Sequence, residues 1–385
     1  MTEVARRIQA LPPYVFAELD RMIKEKRAAG IDVISLGIGD PDRPTPRHVI
    51  QAAKEAAEDP ATHRYPSYTG MPEFRQAVAE WYLKRFGVEL DADMEVLPLI
   101  GSKEGLGHLS LAFIDPGDEA LVPDPGYPIY GVGTLLAGGT PVALHLDGDR
   151  GWLPDLWQVP ASAKAKVLWL NYPSNPTAAV ADLAFFEEAV GFARERGLLL
   201  AHDAAYTELT YDGYIAPSAL QVPDAKDVAV EFGSVSKTHN MTGWRVGWVV
   251  GSATAIGALA SLKTNWDSGI WNAVQRAAIA ALTGPQDHVE ELREMYARRR
   301  DLVVATLNDL GWMLEPPKGS IYVWLPTRDG MSSAAFAKLL VERARVVVSP
   351  GSGYGSAGEG YARISLTVPD ERLAEAMDRV REALS

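Results

Sequence analysis

Between Val33 and Gly251 the sequence repeats one alternation, a short apolar run followed by a stretch with helical spacing, and few architectures accept that pattern. The runs are VISLGIG, EVLPLI, EALVP, TPVAL, KVLWL, LLLAHD, VAVEFGSVS and WRVGWVVG. Runs this short and this continuously apolar suit strands buried on both faces, with the intervening helices covering them. The expected fold class is therefore α/β, a helix-covered sheet of mostly parallel strands. Past Gly284 the texture changes to the charged helix EELREMYARRRDLVVATLNDLG and then to short elements. Residues 45–284 are expected to form a large α/β/α domain, and residues 1–44 with 285–385 a smaller α+β domain. A chain of 385 residues is long enough to fill two cores.

Composition removes whole classes of function. A net charge of -13 gives no electrostatic footprint for nucleic acid or for an anionic membrane surface. The absence of cysteine excludes disulfides, thiol nucleophiles and thiolate metal sites. The seven histidines are scattered, with no HExxH pattern, so no metal site is expected. The segment from Val246 to Leu262 comes nearest to a membrane span, but it is rich in Gly, Ala and Ser and reads as a buried strand followed by a helix. MTEVARRIQALPPYVF has no apolar core of signal-peptide length, and the expected location is the cytoplasm.

The stretch GSVSKTHNMTGWRVGW brings Ser234, Ser236, Lys237 and Arg245 together at a strand exit. Two hydroxyls and a guanidinium suit a phosphate, and a primary amine beside them suits a phosphorylated aldehyde, because lysine amines condense with carbonyls. Read alone, the same residues are more often just an ordinary solvated loop. Other strand ends add to the pattern. LLLAHDAAY delivers Asp203 at the carboxyl end of a buried strand, where α/β sheets place ligands; a protonated pyridine nitrogen is one partner for it, and a helix cap or structural ion pair is the alternative. Tyr206 follows three residues on, either as a donor to a phenolic oxygen or as a packed aromatic. LNYPSNPTAAV places Asn175 in a turn after a strand, where Asn commonly bonds its own backbone. In IGSKEGLGHLSLAF, Gly101 and Ser102 open a helix whose free N–H groups suit a phosphate. VPDPGYPIY sets Tyr127 in a rigid turn, able to stack on a ring or to cover the core. EGYARISLTVP carries Arg363 inside an apolar strand, where a guanidinium needs a carboxylate from either a substrate or the protein.

In order and spacing along nearly the whole chain, these residues resemble the class I/II aminotransferases of the fold-type I pyridoxal-phosphate enzymes. The resemblance implies a mostly parallel seven-stranded sheet in the large domain and pyridoxal 5'-phosphate carried as a Schiff base on Lys237. It further implies that Arg245, Ser234, Ser236 and the Ser102–Lys103 region hold the phosphate, that Asp203 pairs with the ring nitrogen, and that Asn175 and Tyr206 bond the ring hydroxyl. Tyr127 would stack on the ring, and Arg363, with the Gly39 backbone of LGIGDPD, would hold the substrate carboxylate. Tyr65 of RYPSYTG would reach the phosphate of a neighbouring subunit, which implies a homodimer with shared sites.

Within the class, LGIGDPD, GSKEG, PDPGYPIY, MTGWRVGW and RISLTVPDERL are similar to the bacterial LL-diaminopimelate aminotransferases. That implies transfer from LL-diaminopimelate to 2-oxoglutarate, in lysine biosynthesis, with Tyr14 and Lys103 touching substrate. Two positions depart from the pattern: Ala178 stands where the turn usually has Gly, and Thr69 where an acidic residue is usual. The Ala178 departure is expected to be harmless if the backbone there avoids positive φ. The alternatives are an aminotransferase for alanine, aspartate or methionine, or one of broad specificity, and a carbon–sulfur β-lyase that would keep every cofactor residue. An effector-binding domain of a transcription regulator would need a basic module for which this chain has no length. A nicotinamide dehydrogenase would need a Gly-rich fingerprint after the first apolar strand, and none is there.

Overall fold

The computed structural model describes residues 2–12, 15–159 and 164–385. Its strands are β1 (Ile34–Ser35), β2 (Val96–Leu99), β3 (Glu119–Asp124), β4 (Thr140–Asp147), β5 (Leu153–Pro154), β6 (Ala165–Leu170), β7 (Leu199–Asp203), β8 (Ala229–Ser234), β9 (Gly247–Gly251), β10 (Tyr322–Pro326), β11 (Val346–Val347), β12 (Ser349–Pro350) and β13 (Tyr361–Ser365). Eight of them form one sheet in the order β2-β9-β8-β7-β6-β3-β4-β5. Pairing is parallel from β4 through β3, β6 and β7 to β8, and β9 runs against both β8 and β2. Seven of the eight are the strands expected from the sequence. The eighth, β5, is a hairpin return that pairs Leu146 with Pro154 and Asp147 with Leu153, too short to leave an apolar run of its own.

Strand periodicity sends alternate residues to opposite faces of this sheet, and each face has its own core. Val167 and Trp169 of β6 pack with Leu106, Leu109 and Ala201 on one side. Leu168 and Leu170 pack with Phe185, Phe186 and Val190 on the other. The covering helices are cut by local signals. Pro72–Phe86 starts with proline in its first turn and stops at Gly87, whose φ of 70° lets the chain reverse. Its inward face is Phe74, Val78 and Tyr82, while Trp81 is half-buried and meets Trp248 edge-on at 5.8 Å. In Leu183–Arg196 the Asp182 carboxylate accepts from the Phe185 N–H at 2.9 Å, and Gly197 ends the helix.

A second core surrounds the antiparallel sheet β10-β13-β12, against which Asp287–Asp309 and Asp370–Leu384 pack through Leu292, Val303, Leu307, Leu373 and Met377. VISLGIG stands outside the large sheet: β1 pairs in parallel with β11, and Ile23 and Val33 cluster with Val341 and Val347. The segment from Val246 is β9 followed by the helix Ala253–Trp266, and no helix among the described residues is long and apolar enough to cross a membrane.

Candidate active site

All five parallel strands that carry candidate residues end at one edge of the large sheet. β2 leads into Gly101 and Ser102, β3 into Tyr127 and β6 into Asn171 and Asn175; β7 ends at Asp203 and β8 at Ser234, with Lys237 just beyond. Because β9 runs the other way, the residue that precedes it, Arg245, returns to the same edge. These ends and the start of the second core enclose a cavity of about 440 Å³ lined by Gly39, Asp40, Ser102, Lys103, Tyr127, Asn175, Asp203, Tyr206, Ser234, Ser236, Lys237, Arg245, Tyr322 and Arg363. That is the expected place for a ligand in an open α/β sheet. A larger cavity of about 660 Å³ lies alongside and shares only Ala205 and Ser234 with it.

Lys237 follows Ser234, which caps the short helix Val235–Thr238 by accepting from the Ser236 N–H at 3.0 Å. The lysine Nζ donates to the Gly39 carbonyl at 2.6 Å. Burial pushes this amine below the ordinary lysine range, opposed by the nearby Tyr322 and Asp40 and assisted by Arg363 and Arg245. Lowering the pKa of a buried lysine is what readies its nitrogen to attack a carbonyl.

Asp203 accepts from the Tyr130 hydroxyl on Oδ2 at 2.9 Å, while Oδ1 is buried and has no hydrogen-bond partner among the described residues. Burial raises its carboxyl to about 6, against the lowering effect of the Tyr130 bond. An acceptor left open inside a fold costs stability unless something outside the chain completes it. Tyr130 is itself stacked on Trp169, with ring centroids 5.1 Å apart, so the carboxylate is held from a rigid base.

The turn ahead of Ser102 needs glycine. Gly101 has φ of 74°, and a Cβ there would come within 2.4 Å of the Arg245 Nη2. The guanidinium thus lies directly against the opening of Ser102–Phe113, where free N–H groups and a cation face the same point. Arg245 is anchored by donation to the Thr242 carbonyl at 2.8 Å. Lys103 sits over the Tyr127 ring, 5.9 Å from its centroid.

Arg363 is buried at the opposite wall. It donates to Asn175 Oδ1 and to the Gly37 carbonyl, each at 2.7 Å, and its guanidinium lies 4.0 Å from the Tyr322 ring centroid. Asn175 therefore bonds across the site, not to its own backbone, and its N–H is held by Asn171 Oδ1 at 2.8 Å. Tyr206 meets Tyr322 hydroxyl to hydroxyl at 3.0 Å. The Tyr322 hydroxyl also fills the space beside Gly39, since a Cβ there would come within 2.1 Å of it.

The structure thus assembles every expected residue but two. Tyr65 is 87% exposed and outside the cavity of its own chain, and Tyr14 lies outside the described residues. One expectation is overturned: the backbone at Ala178 does take positive φ, 58°, so the residue that replaces glycine there is strained. Asn171, Tyr130 and Tyr322 were missed by sequence reasoning. Tyr130 could have been found, three residues after Tyr127 and just inside the helix Ile129–Ala137 that follows the turn. Glu104, His108 and Asp267 are the one group of three potential metal ligands among the described residues, and the Lys263 ammonium already bonds two of them, at 2.8 and 2.9 Å.

A buried amine, an open carboxylate, a cationic cup at a helix start and a second buried guanidinium on one sheet edge define an enzyme that works on amino and carboxylate groups. Residues 31–380 match the family model described as aminotransferase class I and II, and the chain belongs to that family, whose members transfer nitrogenous groups. It is 58% identical over 382 residues to an LL-diaminopimelate aminotransferase of Desulforudis audaxviator, covering 99% of this chain and 97% of the relative. A protein of the same name from Moorella thermoacetica is 56% identical, with coverage of 99% and 98%. Among solved structures, apo BacF of Bacillus subtilis superposes with a TM-score of 0.96 at 38% identity, over 100% of this chain and 99% of that one.

Proposed function

We propose that this enzyme moves an amino group from LL-diaminopimelate to 2-oxoglutarate, as a step of lysine biosynthesis in the cytoplasm, with pyridoxal 5'-phosphate held on Lys237. The substrate assignment is carried by identity of 49–58% to relatives of that name over 97–98% of their length. The cofactor fits the chain's own residues. Asp203 offers a buried oxygen without a partner, Gly101 lets the Arg245 guanidinium lie against the helix start, and Lys237 supplies an amine of depressed pKa. Arg245, Ser102, Lys103, Ser234 and Ser236 would hold the phosphate, Asn175 and Tyr206 the ring hydroxyl, and Tyr127 the ring face. When bound, pyridoxal phosphate supplies an aldehyde for the amine and a cationic ring that accepts the electron pair released at the substrate's α-carbon.

The protein's part follows from position and charge. Arg363 grips the α-carboxylate in a bidentate fork, with the Gly39 backbone beside it, and so fixes which bond at the α-carbon faces Lys237. Lys237, whose pKa is lowered by burial, would take the α-proton on Nζ and hold it for return. Asp203 would pair with the ring nitrogen through Oδ1, the oxygen left without a partner, and favour its protonated form. In this reading residues 45–284 form the cofactor-binding domain and residues 1–44 with 285–385 the smaller one, a division supported by the packing of Ile23 and Val33 on Val341 and Val347. Exposed Tyr65 suits a homodimer in which it reaches the phosphate of the second copy. The test is to incubate purified enzyme with LL-diaminopimelate and 2-oxoglutarate and measure glutamate; no glutamate from this pair, with ready formation from alanine or aspartate, would discard the substrate and keep the reaction class.

A further inference from the structure

Charges around the site cavity divide unevenly. Lys103, Lys237, Arg245 and Arg363 line it, against only two carboxylates, Asp40 and Asp203. Asp203 is buried and bonded by Tyr130, and the function proposed above commits its other oxygen to the cofactor ring. Asp40 is different. It is exposed on the cavity wall, and its carboxylate makes no hydrogen bond or ion pair with any described residue. Its field is felt by the Lys237 amine, so the two lie within electrostatic reach. With Lys237 committed to the cofactor in that reading, Asp40 keeps a carboxylate without a partner on the cavity wall.

Diaminopimelate carries two carboxylates and two ammonium groups. Arg363 matches one carboxylate; Lys103, expected at the substrate as well as beside the phosphate, offers a cation for the other, and the α-amine is the reacting group. The distal ammonium still needs an anion. Position 69 cannot supply one, since Thr69 is neutral and its hydroxyl pairs with Ser67 at 3.2 Å. We infer that Asp40 receives the distal ammonium of diaminopimelate and so sets the preference for a diamino over a monoamino dicarboxylic acid. This rests on the substrate reading above and adds a specificity-determining residue to it.

The experiment compares wild type and Asp40→Asn on LL-diaminopimelate and on L-2-aminopimelate, which keeps both carboxylates and lacks the second amine. In Asp40→Asn, kcat/KM for diaminopimelate should fall at least tenfold further than for 2-aminopimelate, with the difference in KM, and Asp40→Glu should recover part of it. Equal loss on both substrates would assign Asp40 to tuning Lys237 and overturn the inference, as would no loss on either. A wild-type enzyme inert toward LL-diaminopimelate but active on 2-aminopimelate would refute the substrate reading itself, and the inference with it.

Discussion

Asp203 and Glu231 are buried carboxylates on adjacent strands, and the fold treats them in opposite ways. Glu231 accepts from the Tyr82 hydroxyl at 2.9 Å, the Ser218 hydroxyl at 2.9 Å and the Ala219 N–H at 3.0 Å, and lies 2.8 Å from His202 Nδ1. Both its oxygens are satisfied from within the chain. Asp203 follows His202 directly on β7, lies on the other face, and keeps one oxygen without a partner in the wall of the site cavity. One network holds the body of the sheet together, and the other is complete only with a ligand. Between these two carboxylates it is incomplete satisfaction, not burial, that separates the functional edge from the body of the sheet.

The comparison can be broken or sharpened by substitution, and the largest effect should come from the site. Lys237→Ala should fold with an unchanged urea midpoint and lose transamination altogether; substantial residual turnover would remove Lys237 from its role. On the closed network, Glu231→Ala should leave four donors facing a void and cost about 3–5 kcal/mol in urea unfolding, the scale for a buried charge cluster that loses one partner. A loss below about 1 kcal/mol would mean that the network is incidental.

Asp203→Asn should do the reverse in cofactor-free protein. The native carboxyl lies at about 6, above its ordinary 3.8, so its contribution is favourable below 3.8 and is lost as pH rises through about 6. The asparagine form escapes that loss, and above pH 6 it should be the more stable by up to about 3 kcal/mol while losing activity. A stability difference that does not change between pH 4 and 7 would contradict an open, ionisable Asp203. The smallest effect belongs to Ala178→Gly. Relief of a left-handed backbone should raise stability by about 1 kcal/mol, less the contact of a buried methyl, as read from thermal unfolding.

Much of this was legible in the sequence because it is local. Ser234, Ser236, Lys237 and Arg245 lie within twelve residues, and short apolar runs announce strand ends, so the sheet edge and its chemistry could be read together. What was not legible depends on distant partners or on backbone angles. Tyr322 reaches Tyr206 across 116 positions, and Arg363 reaches Asn175 across 188. The positive φ of Ala178 runs against residue preference, since alanine disfavours it and the surrounding fold imposes it. β5 is two residues long and is made by its pairing with β4, not by its composition.

The most direct measurement is single-turnover absorbance of the purified holoenzyme, mixed separately with LL-diaminopimelate, alanine, aspartate, glutamate and methionine. The account predicts rapid loss of the lysine-bound cofactor band with LL-diaminopimelate, well ahead of alanine, aspartate and methionine, and no such band in Lys237→Ala. A protein that is colourless as purified, takes up no pyridoxal phosphate and responds to none of these amino acids would contradict it at its centre.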